Sequence, residues 1–219
     1  MTPFHFGSAG RRLFGIYDPA RKVGGAERAA LVCYPTGDEH SHAYRTLRQL
    51  ATRISQTGTH VLRFDYYGTG DSSGETGEGD IAGWCSDIET AIAELKDMTG
   101  ANRVSLIGLR LGANLAARTA ATRANDIENL VLWDPLCAED YPYVGSEGNH
   151  DPRHLDLSLF TASLPRRTLV LFTAQPPRSA EFGDLTVERL IDAPAWIEER
   201  TVSGTMPVDA LHRIVDWLN

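Results

Sequence analysis

One strand-to-helix turn carries the residue with the clearest chemical consequence. The stretch GLRLG, residues 108–112, follows the apolar run 104–107 and precedes an alanine-rich stretch. This setting is typical of the Gly-x-Ser-x-Gly turn, which exposes a nucleophilic serine between a strand and a helix. Arg110 stands where that serine would be. A guanidinium stays protonated and has no lone pair to offer, so Arg110 is excluded as a nucleophile.

Two other roles are open to Arg110. It can bind a carboxylate or a phosphate through two parallel hydrogen bonds, or hold a developing oxyanion. It can instead form an internal ion pair, with Asp134 or Glu39 as the partner, and fill a disused pocket. A buried arginine requires such a partner, because an unpaired charge is costly to bury.

A histidine just after the predicted strand 29–37 is a candidate general base. His40 lies beside a carboxylate in the stretch 38–42, and a histidine in that setting can move a proton near neutral pH. We favour His40 over His42, because a helix capped by Ser41 would place His42 in its first turn, facing away. His40 as a plain loop residue is the alternative.

Asp134 is the second candidate base. It ends the apolar run 129–133 and precedes Pro135, which favours an extended exit from a strand. The carboxyl ends of strands open into the ligand cleft of α/β proteins, so a site role is expected. A turn-forming aspartate that accepts local amide groups is the alternative.

Alternating strands and helices must position these residues. The predicted strands cover residues 4–6, 12–17, 29–37, 60–68, 103–107, 129–136, 167–174 and, more weakly, 195–202. The predicted helices cover residues 41–54, 81–95, 113–122 and 207–218. This alternation predicts an α/β fold with a mostly parallel central sheet and helices on both faces. Residues 137–165 lack periodicity and are expected to form a short, reduced lid over the sheet edge.

Composition limits the partners. The 219 residues suffice for a single domain over 1–219, and 21 Lys plus Arg against 29 Asp plus Glu give a net charge of −8. An acidic chain without a basic block argues against nucleic acid and anionic membranes as partners. Three widely spaced cysteines and the lack of an apolar leader favour the cytoplasm. No metal and no cofactor are expected, since the Gly68-x-Gly70 pattern lacks the rest of a dinucleotide fingerprint.

Three ordered segments carry a family resemblance across nearly the whole chain. They are VCYPTGDEH at 32–40, FDYYGTGDSSGE at 64–75 and SLIGLRLGANLAAR at 105–118. With them, the chain resembles the α/β-hydrolase superfamily, in particular the small serine-aminopeptidase-like and exosortase-associated hydrolases, which act on esters, thioesters or peptides. The resemblance implies the α/β-hydrolase fold. It also implies that Asp65 and Ser72 order the glycine turn after the second parallel strand.

The same resemblance locates the chemistry. It places the backbone amides of Thr36 and Leu111 in the oxyanion hole, with Glu39 and Tyr34 beside them as substrate-binding residues. The triad acid would follow residue 174 and the triad histidine would precede the last helix, but QPPR at 175–178 and SGTM at 203–206 stand there. Conventional acyl-serine chemistry is therefore not expected.

Two functions of different class follow. The first is an enzyme that acts on a small acyl, ester or thioester compound by a non-serine mechanism, with Arg110, Asp134 and His40 as catalytic residues. Its ligand would be a small, possibly anionic acyl molecule. The second is a catalytically inactive hydrolase homologue that binds a ligand or a partner. An Arg110 sealed against an acid would favour the second.

Overall fold

One eight-stranded sheet organises the part of the chain that the structure describes. The computed structural model describes residues 1–21, 27–137, 155–173, 182–197 and 206–219. The strands are β1 Thr2–Ser8, β2 Arg11–Asp18, β3 Arg28–Cys33, β4 Thr59–Phe64, β5 Val104–Leu109, β6 Ile127–Trp133, β7 Thr168–Phe172 and β8 Thr186–Arg189. The helices are α1 Asp38–Gln56, α2 Ile81–Thr99, α3 Leu111–Thr122 and α4 Val208–Leu218.

The strand order is β1-β2-β4-β3-β5-β6-β7-β8. β1 and β2 form an antiparallel hairpin, and β2 pairs antiparallel with β4. All other neighbours are parallel, as in the register that sets Cys33 opposite Gly108. This confirms the predicted α/β-hydrolase fold with its mostly parallel sheet. Because β3, β5, β6 and β7 run in the same direction, their carboxyl ends meet at one edge of the sheet.

Alternation along the buried strands divides the core into two layers. In β3, Ala29, Leu31 and Cys33 pack with α2 and α3, whereas the intervening Ala30 and Val32 pack with α1 and α4. Side chains of successive strand residues point to opposite faces, so a strand covered on both faces is apolar throughout. No helix in the described parts of the chain has the length and apolar character to cross a membrane.

The first helix begins earlier than predicted. α1 starts at Asp38 after Gly37, which takes a positive φ of 63° and provides no side-chain cap. Ser41 is therefore not the cap, and His40 lies in the first helical turn rather than in a loop. Asp38 and Glu39 occupy the first turn, where negative charge interacts favourably with the positive end of the helix.

The last predicted strand was wrong where the structure describes it. Residues 195–197 form a turn, and residues 198–202 lie outside the described part of the chain. The eighth strand is β8 instead, four largely exposed residues that pair with β7. A short edge strand is held by backbone pairing rather than by burial, so it has no apolar pattern to detect. In the predicted lid, residues 138–154 lie outside the described ranges, and short 3-10 turns occupy Leu157–Leu159 and Thr161–Ser163.

Candidate functional site

Arg110 is the only residue between β5 and α3. Its backbone takes a positive φ of 54°, which is unusual for any residue except glycine, and its N–H donates to the Trp133 carbonyl at 3.0 Å. A Cβ on Gly112 would overlap the carbonyl oxygens of Cys33 and Tyr34. The turn is therefore pressed against the ends of β3 and β6, in the tight strand-to-helix conformation typical of a nucleophile elbow.

Three groups in the described part of the chain contact the Arg110 guanidinium. Its Nε lies 3.0 Å from Glu39 Oε1, and its Nη1 donates to the Asp134 carbonyl oxygen at 3.4 Å. Its Cζ lies 3.8 Å from the centre of the Trp196 ring. The residue is 8% exposed. Of the two acids considered as partners, Glu39 makes the ion pair, and the indole of Trp196 covers the guanidinium by a cation–π contact.

Glu39 forms the open side of this ion pair. Its side chain is 30% exposed, against 10% for the side chain of Arg110. Glu39 extends from the first turn of α1, so its carboxylate also lies near the positive end of that helix. The arginine is thus the buried partner and the glutamate the accessible one.

Asp134 contacts Arg110 through its backbone carbonyl, and its carboxylate accepts hydrogen bonds from Thr173 and Trp196. The residue ends β6 with a positive φ of 42° and is 1% exposed. Its Oδ1 accepts the Thr173 N–H at 2.8 Å, and its Oδ2 accepts the Thr173 hydroxyl and the Trp196 Nε1–H, the latter at 3.2 Å. These contacts join the ends of β6 and β7 and orient the indole that covers Arg110. The catalytic role of Asp134 stays a prediction.

His40 lies beside Arg110's partner but contacts a different acid. Its Nε2 is 3.2 Å from Asp65 Oδ1, and its ring centre is 4.9 Å from that of Tyr34. Asp65 also accepts the Asp71 N–H at 3.0 Å. In the first turn of α1, Glu39 therefore pairs with Arg110, whereas His40 contacts Asp65 in the glycine turn after β4. The proposed base role of His40 stays a prediction.

The glycine turn is ordered by the two residues expected to do so. Ser72 Oγ donates to the Asp65 carbonyl at 2.6 Å and accepts the Phe14 N–H at 2.8 Å. With the Asp65–Asp71 contact, these bonds tie the turn to β2 and to the end of β4.

Tyr34 is buried beneath the site. It is 2% exposed, and its hydroxyl accepts a hydrogen bond from Arg63 Nη1 at 3.1 Å. Burial raises the pKa of Tyr34 to about 12, although the Arg63 guanidinium acts in the opposite direction. The phenol is therefore neutral at physiological pH, and its polar end is engaged with Arg63.

The two predicted oxyanion amides flank the turn. Leu111 is the first residue of α3, and an N–H in the first turn of a helix has no acceptor within that helix. Thr36 lies in the connection between β3 and α1, which the close approach of Gly112 to Tyr34 brings near the start of α3. Such a helix terminus favours an anion. In the described ranges, no three histidine, cysteine or carboxylate side chains are grouped to hold a metal ion.

A comparison with known protein families identifies the family to which the chain belongs. The family model described as "Serine aminopeptidase, S33" matches residues 25–212. The chain belongs to this family. The match spans every strand from β3 to β8 and the turn that carries Arg110, and it confirms the resemblance seen in the sequence. No curated protein matches the chain.

Solved structures share the fold of this S33 family member at low sequence identity. A putative α/β hydrolase from Agrobacterium tumefaciens has a TM-score of 0.73 and 18% identity, covering 99% of this chain and 94% of its own. An α/β serine hydrolase without a lid from Xanthomonas campestris has a TM-score of 0.70 and 18% identity, covering 99% and 91%. An enol-lactonase from Burkholderia xenovorans has a TM-score of 0.67 and 17% identity, covering 98% and 99%.

Sequence reasoning missed two members of the site. Trp196 was placed in a strand, and Asp65 was given only its turn-forming role. Nothing local marks Trp196, since it meets Arg110 across 86 residues of chain. The acid segment expected at 175–178 and the histidine segment expected at 203–206 lie outside the described residues, apart from Met206.

Proposed function

We propose that this S33 family member binds a small anionic ligand at the turn carrying Arg110 and does not hydrolyse it. One observation carries the proposal: the residue at the centre of the Gly-x-x-x-Gly turn is a guanidinium, paired with Glu39 and covered by Trp196. A guanidinium cannot attack a carbonyl or be acylated. It does recognise anions with defined geometry.

The surroundings of Arg110 support binding of an anion. Helix α3 begins directly after Arg110, and the first turn of α1 carries its partner Glu39. Their backbone N–H groups and helix dipoles add to the attraction of an anion. These features of an oxyanion site serve ground-state binding equally well, because they need no nucleophile.

Hydrolysis assays test the proposal. The purified protein and Arg110→Ala, prepared identically, are incubated with a panel of acyl esters, acyl thioesters and lactones. We expect both proteins to give the rate measured with denatured protein. Saturable turnover by the native protein that is lost in Arg110→Ala would overturn the proposal.

A second candidate function is hydrolysis of a small acyl, ester or thioester compound by a non-serine mechanism. The contact between His40 and Asp65 favours it, since a carboxylate orients a histidine that acts as a base. In this case Arg110 would hold the oxyanion. If turnover is found, His40→Gln should lower it by about 100-fold or more, whereas the control His42→Gln on the same helix should not. Equal rates in the two variants would exclude His40 as the base and with it this second function.

We also propose a reducing, cytoplasmic compartment. No disulfide joins the three cysteines: Cys33 is buried, and Cys85 and Cys137 are partly buried. Proteins of oxidising compartments usually use such residues in disulfides. Fractionation of cells producing the tagged protein would test this location.

A further inference from the structure

We infer that Tyr17 is a covalent modification site, at which the phenol oxygen takes a phosphoryl group from a neutral phosphoryl electrophile while His60 accepts the phenol proton. The two residues lie near the end of β2 and the start of β4, at the opposite edge of the sheet from the Arg110 turn. The inference therefore goes beyond the proposed function and does not depend on it. It has three supports: the hydrogen bonds around His60, the geometry of the two rings, and the charge beside the phenol.

Hydrogen bonds fix which nitrogen of His60 can act as a base. Nδ1 lies 2.5 Å from the Tyr17 hydroxyl and accepts the Ala20 N–H at 3.3 Å. Because a backbone N–H can only donate, Nδ1 carries no proton, and the neutral ring has its proton on Nε2. Nε2 donates to Glu27 Oε2 at 3.1 Å. The Tyr17 hydroxyl therefore donates to Nδ1, in the order of hydroxyl, imidazole and carboxylate that activates a nucleophile.

The geometry of the two rings suits proton transfer. Their planes are within 3° of parallel and their centres are 5.8 Å apart. With the hydroxyl 2.5 Å from Nδ1, the phenol meets the edge of the imidazole, where the nitrogen lone pair lies, rather than its face. Tyr17 is partly buried, and the side chains of His60 and Glu27 are 18% and 47% exposed, so the group is open to solvent.

A base is needed because the phenol does not ionise by itself near neutral pH. Burial and, to a lesser extent, the Glu27 carboxylate raise the pKa of Tyr17 above its usual value of 10.0. A base within hydrogen-bonding distance removes the proton as the bond to the electrophile forms, so that no free phenolate is required. The resulting imidazolium is stabilised by Glu27, which acts as a positioning residue.

The charge beside Tyr17 selects the electrophile. The Glu27 carboxylate disfavours an anionic compound, and it also disfavours the oxyanion that forms when a carbonyl group is attacked. In a neutral phosphoryl fluoride, the leaving fluoride carries the negative charge away. The bond from Tyr17 Oη to phosphorus forms, the P–F bond breaks, and the phenol proton passes to His60 Nδ1 and then to water. One equivalent of the reagent is consumed, and the phosphoryl group stays on Tyr17.

The experiment incubates the protein with diisopropyl fluorophosphate and follows the adduct on each tyrosine by peptide mass spectrometry. Tyr44 is the internal control, because it is 40% exposed and its hydroxyl makes no hydrogen bond to any described residue. Tyr17 should be labelled faster than Tyr44 by about 100-fold or more. Labelling of Tyr17 in Arg110→Gln should equal that in the wild type, which separates this site from the proposed function.

Variants and pH assign the roles of the two partners. His60→Ala should slow the labelling of Tyr17 by about 100-fold, and added imidazole should restore part of the rate. A purely structural histidine would give no such rescue. Glu27→Gln should slow labelling by about tenfold. The wild-type rate should level off by about pH 8, where an imidazole is neutral, whereas a free phenolate would react ever faster up to pH 10.0 and above.

Three results would overturn the inference: labelling of Tyr17 no faster than that of Tyr44, an undiminished rate in folded His60→Ala, or a rate that rises continuously with pH as phenol ionises. The comparison with Tyr44 and the pH profile both use the wild type. They therefore decide the question even if His60→Ala does not fold, which circular dichroism would show.

Discussion

Trp196 covers the guanidinium of Arg110 at 3.8 Å from ring centre to Cζ, and Asp134 fixes the indole by accepting its Nε1–H. Arg110, at the centre of the Gly-x-x-x-Gly turn, is thus contacted by several separate elements. These contacts come from α1, the end of β6 and the segment before α4. Each contact should therefore contribute measurably to the free energy of unfolding, even in the absence of any turnover.

Trp196 should contribute to stability through its ring and its N–H separately. Trp196→Phe keeps an aromatic face but loses the bond to Asp134, and should lower the free energy of unfolding by about 1 kcal/mol. Trp196→Ala also loses the cation–π contact, and a total loss of about 2–3 kcal/mol is expected. Urea unfolding measures both. Equal stability of Trp196→Ala and the wild type would show that the contact has no energetic weight.

Asp134→Asn should be destabilising although it barely changes the shape of the side chain. From the described residues the carboxylate accepts hydrogen bonds of the Thr173 N–H, the Thr173 hydroxyl and the Trp196 indole. An amide brings its own donors to a position that needs acceptors, so a loss of about 1–3 kcal/mol is expected. The near-ultraviolet circular dichroism of Trp196 should weaken as well. Asp156→Asn, at the partly buried N-cap of a 3-10 turn, is the control: asparagine can also accept the Ser158 N–H, so neither quantity should change appreciably.

Gly112 should not tolerate a side chain. A Cβ there would overlap two backbone carbonyl oxygens at the end of β3, and backbone atoms cannot move aside as a flexible side chain can. Gly112→Ala should therefore lower the free energy of unfolding by about 3 kcal/mol or more. Gly10→Ala is the matched control, because a Cβ at Gly10 meets nothing within 4 Å. Similar stability of the two variants would contradict the close packing of the turn.

The ion pair between Glu188 and Arg213 should make the stability of the folded protein depend on pH. The carboxylate accepts two hydrogen bonds from Arg213, at 2.6 Å and 2.5 Å, and these hold the pKa of Glu188 below its usual value of 4.5. The unfolded chain therefore binds this proton more readily than the folded protein does. The stabilisation is present above about pH 4.5 and is lost as the pH falls through the lower, folded value.

The test compares melting temperatures of the wild type and Glu188→Gln at pH 7 and pH 3. The wild type should be the more stable protein at pH 7, and the difference should shrink at pH 3. Glu128→Gln, on an exposed position of β6, serves as the control. A difference that stays constant with pH would contradict the ion pair.

The fold could be predicted from the sequence because its signals are local. Buried parallel strands are continuous apolar runs, as in Leu130 to Trp133, and the helices between them keep an amphipathic spacing. The early start of α1 was missed because it depends on Gly37 and on acidic residues at the helix dipole rather than on a side-chain cap. β8 was missed because an edge strand is defined by its neighbour.

The site was only partly predictable for a related reason. Motif spacing located Arg110 and named Glu39 as one possible partner. Nothing in the sequence could rank Glu39 against Asp134, since both follow apolar strands and both are acids near the same sheet edge. The tertiary structure distinguishes them: the Asp134 carboxylate is bonded to Thr173, and Glu39 pairs with the guanidinium. Trp196 reaches Arg110 only through the tertiary fold.

Single-turnover hydrolysis, with protein in large excess over acyl thioesters, tests directly whether the Arg110 turn binds an acyl compound or hydrolyses it. Release of the free thiol is followed, so that even one slow event at each site is counted. We predict release at the rate of the denatured protein, in the wild type and in Arg110→Gln alike. Stoichiometric release by the wild type, absent from Arg110→Gln, would contradict the claim that Arg110 marks a binding site rather than a hydrolytic one.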